Sequence, residues 1–231
     1  MRLVDIQGWI FETHNVLFDA TVWQRWLLHL LSRMGLHTHY NLFFRVWELE
    51  FAPQVYTGQV DFQDALSEFL TAAGMSSSHV NEVILTMRAK QKDLFSGQRP
   101  LMGVVETIAE IAKSKCPLAV SADTSLDSTE LRNELANFGL TSCFSIIETS
   151  RETGYLKPAP QSYMRIVSAM NVPAESVAFV GHDEHHLCGA AALGLQTVAF
   201  DCPDFEATCH VTRFAEMAEL VPLPVAIRRA G

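Results

Sequence analysis

Apolar positions in the first part of the chain recur at helical spacing. Trp23, Trp26, Leu27, Leu30 and Met34 stand at i, i+3, i+4, i+7 and i+11, Leu31 widens the stripe, and Gly35 supplies a stop. A second helix is predicted over residues 40–51, ending before Pro53, because the residue ahead of a proline is pushed out of the helical region. Asp61 is the expected N-cap of a third, with Ala65, Phe69 and Leu70 on one face and Gly74 at its end. Ser76 to Ser78 cap a fourth that carries Val80, Val83, Ile84 and Met87. No strand pattern interrupts these helices. They predict a compact helical insert.

Beyond Pro100 the pattern changes to short apolar runs alternating with amphipathic helices. The predicted strands are 118–120, 144–147, 177–180 and 197–200; the predicted helices are 104–112, 128–138, 160–170 and 186–193. Apolar strands separated by helices imply parallel pairing buried on both faces. The opening strand, residues 8–11, has no partner among the helices that follow it and is expected to join the later sheet. The expected fold is α/β: a doubly wound, Rossmann-like parallel sheet over residues 1–18 and 97–231, with an all-helical domain inserted over 19–96. Ligands of such sheets sit beyond the carboxyl ends of the strands. That points to Glu12 and His14, Ser121 and Asp123, Lys157, and the run from His182 to His186.

Composition narrows the partners. The chain has 231 residues, 48% of them hydrophobic and 19% charged, as a packed globular protein requires. A net charge of −9 with no basic run argues against a nucleic-acid partner. No apolar stretch reaches the roughly 20 residues of a membrane span. Met1-Arg2-Leu3-Val4-Asp5 lacks a signal-peptide layout, and five cysteines without CxxC spacing read as free thiols, so a cytoplasmic location is expected. Oligomeric state is left open.

Four segments carry the chemistry. The first is Phe11-Glu12-Thr13-His14-Asn15-Val16-Leu17, an apolar run ending in an acid with a polar group two positions on. Ser121 ends the strand that begins at Leu118. Gly154-Tyr155-Leu156-Lys157-Pro158-Ala159-Pro160 follows, and Val180-Gly181-His182 precedes His186, Gly189-Ala190 and Gly194. In order and spacing these segments resemble the four motifs of the haloacid dehalogenase (HAD) superfamily, in the phosphatase-like subfamily with a helical cap between the first and second motifs. The usual forms are Phe-Asp-x-Asp-Gly-Thr-Leu, a Ser or Thr, Gly-x-x-Lys-Pro-x-Pro, and Gly-Asp-x-x-x-Asp.

The resemblance implies a role for each position. The first acid attacks a phosphoryl group, the second transfers protons, a Mg²⁺ held by acids of the first and fourth motifs neutralises charge, and a Ser or Thr and a Lys hold the phosphate oxygens. Here Glu12 stands at the nucleophile position and His14 at the acid/base position, while His182 and His186 stand at the two fourth-motif acids. Ser121 and Lys157, the phosphate-holding pair, are kept. The extra methylene of Glu12 moves its oxygen by roughly 1 Å, and an error of that size can cost about 10²-fold in rate. Mg²⁺ prefers oxygen ligands, which imidazoles do not supply. Asp183, one residue out of frame, would need a shift of its loop to help.

Three functions compete. In the first, ordinary phosphatase turnover is lost, a pseudoenzyme remains, and an anion pocket at Ser121 and Lys157 binds a small phosphorylated ligand. In the second, Glu12, His14, His182, Asp183 and His186 form a remodelled hydrolytic site for Zn²⁺, Ni²⁺ or Fe²⁺, for which a carboxylate with imidazoles is a suitable donor set. The third is a slow phosphatase using Glu12. The plain alternative for these histidines is a set of solvated loop residues. Asp123 and Asp127 read as turn or cap residues, Trp9, Trp23, Trp26 and Trp47 as packing, and Asp19 as a brace where the chain leaves the core.

Overall fold

A computed structural model describes residues 3–19, 21–96 and 99–220. The opening Met1-Arg2 and the end of the core expected beyond residue 220 lie outside the described residues. The chain runs β1 (Gly8–Glu12), α1 (Val22–Arg33), α2 (Tyr40–Val46), α3 (Ala52–Tyr56), α4 (Phe62–Ala72), α5 (Ser77–Ser96) and α6 (Val104–Ala112). It continues through β2 (Leu118–Ala122), α7 (Ser128–Ala136), β3 (Ile146–Thr149), α8 (Ser150–Thr153), α9 (Gln161–Met170), β4 (Val177–Gly181), α10 (Glu184–Ala192), β5 (Gln196–Phe200) and β6 (Cys209–Val211).

The six strands form one sheet in the order β3-β2-β1-β4-β5-β6, and every pairing is parallel. β1 lies between β2 and β4, where the winding reverses, so its carboxyl end opens into the crevice a doubly wound sheet offers to ligands. The register sets Glu12 directly beside Ser121. Both faces of β1 and β4 are buried, which accounts for their unbroken apolar runs. One core layer holds Trp9, Phe11, Val104, Ile108 and Leu135; the other holds Ile10, Tyr163, Ile166 and Phe179.

The helices from α1 to α5 bury a third cluster of their own, built on Trp23, Leu27, Phe44, Trp47, Leu66 and Phe69. Trp47 packs edge-on against Trp23 and Phe69, and Trp26 lies at the cluster's edge. The expected caps form: Asp61 accepts from the Gln63 N–H at 2.8 Å, and Ser76 Oγ from the His79 N–H at 3.3 Å. The chain leaves and re-enters the sheet side by side, with the Leu101 N–H donating to the Leu17 carbonyl and Phe18 bridged to Pro100. Asp19 accepts from the Thr21 N–H and hydroxyl and from Arg25, bracing the first turn of α1.

Two boundaries and two short elements stand out against the sequence pattern. The second helix does not stop before Pro53: a π-turn over Trp47–Phe51 links α2 to α3, and Pro53 falls in the first turn of the renewed helix. The widened turn removes the i−4 bond that proline would have broken. The third strand begins at Ile146 rather than Phe144, whose ring instead fills the core after a 3-10 turn over Thr141–Cys143. The short edge strand β6 and the single-turn α8 carry no periodic pattern and were not expected. All five cysteines are free thiols. Among the described residues no helix is long and apolar enough to cross a membrane.

Candidate functional site

Glu12 ends β1 with its carboxylate buried, and both oxygens are engaged. Oε1 lies 2.6 Å from His186 Nδ1, and Oε2 accepts from the His182 backbone N–H at 3.1 Å. Lys157 Nζ stands 3.9 Å from the same Oε1 and 3.0 Å from Asp123 Oδ1. The Lys157 backbone N–H also donates to Asp123 Oδ2, at 3.2 Å. Ser121 completes the group, offering its carbonyl and hydroxyl to Lys157 Nζ at 3.4 and 3.5 Å. Glu12 and Asp123 are thus set against Lys157 and His186. Charge balances two against two once the imidazole is protonated.

Local sequence explains these placements. Asn15 occupies the left-handed region (φ +55°), so the turn after β1 keeps the shape that glycine would allow; asparagine is among the few side chains that tolerate it. A Cβ on Gly181 would lie 3.0 Å from Glu12 Oε2 and 2.8 Å from the Phe179 ring, so only glycine lets the Glu12 carboxylate sit over β4. Asp183 N-caps α10, accepting from the His185 and His186 N–H groups at 2.8 and 3.1 Å. The Tyr163 hydroxyl donates to the His186 carbonyl at 2.8 Å. Together these bonds aim the His186 ring at Glu12.

The electrostatics follow from burial and pairing. Burial pulls the pKa of His186 down, but its hydrogen bond to Glu12 and the charges of Glu12 and Asp123 outweigh this and leave it raised. His14 moves the other way: burial dominates and lowers its pKa, favouring a neutral ring. That ring packs 6.0 Å from Tyr56, between the sheet and α3. A cavity of about 1050 Å³ opens over the group, lined on the sheet side by Ser121, Lys157 and His186 and on the helical side by Trp23, Tyr40 and Glu48. Burial pushes Glu48 up to about 7, against the opposing hydrogen bond from Gln24.

The structure gathers Glu12, His14, Ser121, Asp123, Lys157 and His186 at one place; His182, Asp183 and His185 line the same cavity with their side chains placed otherwise. The His182 ring turns away and its Nδ1 pairs with the Phe200 carbonyl at 3.0 Å, leaving only its backbone N–H in the site. Asp183 caps its helix through Oδ1, and His185 is exposed. The expected ligand set of Glu12, His14, His182, Asp183 and His186 is therefore not assembled; among the described residues no group of three or more His, Cys, Asp or Glu side chains is arranged to hold a metal ion. Asp123, expected as a turn residue, instead forms the shortest ion pair of Lys157 within the site. Its position two residues past Ser121, at the carboxyl end of β2, was the available signal. Asp127 is a cap as expected, in a reciprocal box with Glu130. Trp23 packs in the helical cluster and also lines the cavity.

The model of the haloacid dehalogenase-like hydrolases matches residues 59–200, more than half of the chain. The chain belongs to this family. A ribulose-1,5-bisphosphate 5-phosphatase from Halopiger xanaduensis is 34% identical over 97 residues, which are 42% of this chain and 40% of that protein; the match thus spans well under half the length of the curated relative. A HAD-superfamily hydrolase of subfamily IA from Geobacter sulfurreducens superposes with a TM-score of 0.69 at 20% identity, covering 96% of this chain and 99% of its own. A HAD hydrolase from Bacillus subtilis, solved with bound magnesium, superposes with a TM-score of 0.65 at 15% identity over 95% of this chain and 100% of its own.

Magnesium is the ion that this HAD-family fold implies, and the residues of this chain do not fit it. The ion takes near-octahedral oxygen ligands. Here one Glu12 oxygen faces an imidazole nitrogen, the other a backbone N–H, and Asp123 faces an ammonium group. Each of these neighbours is a donor or a cation where the metal would need a free oxygen.

Proposed function

We propose that this HAD-family protein binds a small phosphorylated ligand in the cavity between sheet and helices, and that ordinary Mg²⁺-dependent phosphatase turnover is lost. The observation that carries the reading is the double engagement of Glu12, whose oxygens meet His186 Nδ1 at 2.6 Å and the His182 N–H at 3.1 Å. A nucleophile needs a free lone pair aimed at phosphorus. Each oxygen of this carboxylate already faces a close neighbour, and its added methylene displaces it by roughly 1 Å.

The binding half rests on Lys157 and Ser121. An ammonium group has three N–H donors, and Asp123 takes only one at close range. The contacts to Ser121, at 3.4 and 3.5 Å, are long enough for a phosphate oxygen to replace them. The phosphatase name of the Halopiger relative supports a phosphorylated ligand. The helical segment, residues 19–96, acts as the cap that closes over it.

A screen of purified protein against phosphate monoesters with Mg²⁺, Mn²⁺, Zn²⁺ and Ni²⁺ tests the reading. The expected result is no turnover, with thermal stabilisation by phosphate esters that disappears in Lys157→Ala. Turnover with Mg²⁺ that vanishes in Glu12→Gln would overturn it in favour of a slow phosphatase. Activity only with a transition metal, abolished by His186→Ala, would overturn it in favour of a remodelled metalloenzyme.

A further inference from the structure

We infer that His186, paired to Glu12, is the built-in cation of this site, standing in place of a divalent metal and making anion binding independent of one. The inference rests on the binding reading above but names the residue that replaces the metal. It is carried by three observations of geometry.

First, the pairing is close and oriented. His186 Nδ1 lies 2.6 Å from Glu12 Oε1, while its Nε2 points away, 3.9 Å from Asp123 Oδ2 and 4.0 Å from Asp183 Oδ1. Those separations are too long for hydrogen bonds, so Nε2, which carries a proton when the ring is charged, has no close partner. The cavity reaches His186 and Lys157 together, so one bound anion can touch both donors.

Second, the charges close without an ion. Within this quartet Glu12 and Asp123 are matched by Lys157 and a protonated His186; His14, Tyr56, Tyr163 and the exposed, capping Asp183 also face it. A divalent ion added to this quartet would leave an excess of positive charge, and both carboxylates of the quartet already face donors. Burial makes such an imbalance costly.

Third, the main chain that carries the ring is fixed by contacts of its own. The Tyr163 hydroxyl bonds to the His186 carbonyl, and Asp183 holds its N–H. Gly189 lets α10 approach the Lys157 loop, since a Cβ there would lie 2.6 Å from Pro158 Cβ and 3.1 Å from its carbonyl oxygen.

The test is a calorimetric titration of the full-length protein with Mg²⁺ alone, beside titrations with inorganic phosphate in EDTA and in excess Mg²⁺. The wild type is expected to show no Mg²⁺ binding and the same phosphate affinity in both buffers. His186→Gln, which keeps a donor but no charge, is expected to weaken phosphate binding about tenfold or more. The double variant Glu12→Asp with His186→Asp restores carboxylates in register and is expected to gain Mg²⁺ binding. Thermal melts show whether each variant folds; should the double variant unfold, His186→Asp alone is titrated in its place. Mg²⁺ binding by the wild type, or phosphate affinity that rises about tenfold with Mg²⁺, overturns the inference. Unchanged phosphate affinity in folded His186→Gln also overturns it. Failure of the wild type to bind phosphate or its monoesters under any condition defeats the binding reading instead; the Mg²⁺ titrations of wild type and double variant still decide whether the site excludes the metal.

Discussion

Asp123 holds Lys157 twice: its Oδ1 lies 3.0 Å from the ammonium nitrogen, and its Oδ2 accepts the backbone N–H of the same residue at 3.2 Å. The pair fixes both the charge and the main chain of the loop ahead of α9. With the Lys157 side chain almost wholly buried, the second carboxylate, Glu12 at 3.9 Å, is too distant to take over. Asp123→Ala is therefore expected to cost roughly 3 kcal/mol of stability, because a buried charge loses its close partner. Urea denaturation measures this; a loss below about 0.5 kcal/mol would show the pair to be incidental.

Two histidines should bend the pH dependence of stability in opposite directions. His186 has a raised folded pKa, so its contribution is complete below its ordinary value of 6.5 and fades as pH rises through the folded value. His14 has a lowered folded pKa, so its contribution is complete above 6.5 and is lost as pH falls through the folded value. Relative to wild type, His186→Gln should flatten the loss on the alkaline side and His14→Gln the loss on the acid side. Melting temperatures from pH 5 to 9 would expose either sign as mistaken.

Asp183 is predicted to serve its helix rather than a metal. Asp183→Asn keeps a good N-cap and should leave stability almost unchanged, whereas Asp183→Ala should cost about 1 kcal/mol. Equal losses in the two variants would contradict the capping role.

Gly189→Ala places a methyl group 2.6 Å from Pro158 Cβ, 2.9 Å from the Tyr163 hydroxyl and 3.1 Å from the Pro158 carbonyl oxygen, none of them the end of a flexible side chain. A loss of about 1–3 kcal/mol is expected. Phosphate binding should weaken along with it, since the Lys157 loop and α10 are pushed apart. Undiminished binding in a destabilised variant would separate packing from function.

Much of the site could be read from residue spacing, because the carboxyl ends of parallel strands converge whatever the side chains are. Glu12, Ser121 and Lys157 meet as their positions in the motifs imply. What failed was side-chain direction. His182 and His186 look equivalent in the chain, yet one ring bonds to the Phe200 carbonyl and the other to Glu12. The break expected at Pro53 failed for a similar reason, since burial of Trp47 and Phe44 favours continuing the helix through a wide turn. Asp123 stands out by its place beyond β2, yet an acid beside a turn reads as a turn or cap residue. Only the neighbouring lysine, 34 residues away in sequence, gives it another use.

The amino-acid sequence by itself determined the alternation of strands and helices, the helical insert and the order of the motif positions. These follow from short-range periodicity and from the few ways a buried parallel sheet can be wound. Tertiary structure alone decided which polar groups pair. Rotamer choice at His182 and His186, the closeness of Asp123 to Lys157 and the engagement of both Glu12 oxygens depend on distances between segments far apart in the chain. In a buried site of low dielectric those distances set the charges, and hence whether a metal ion is needed.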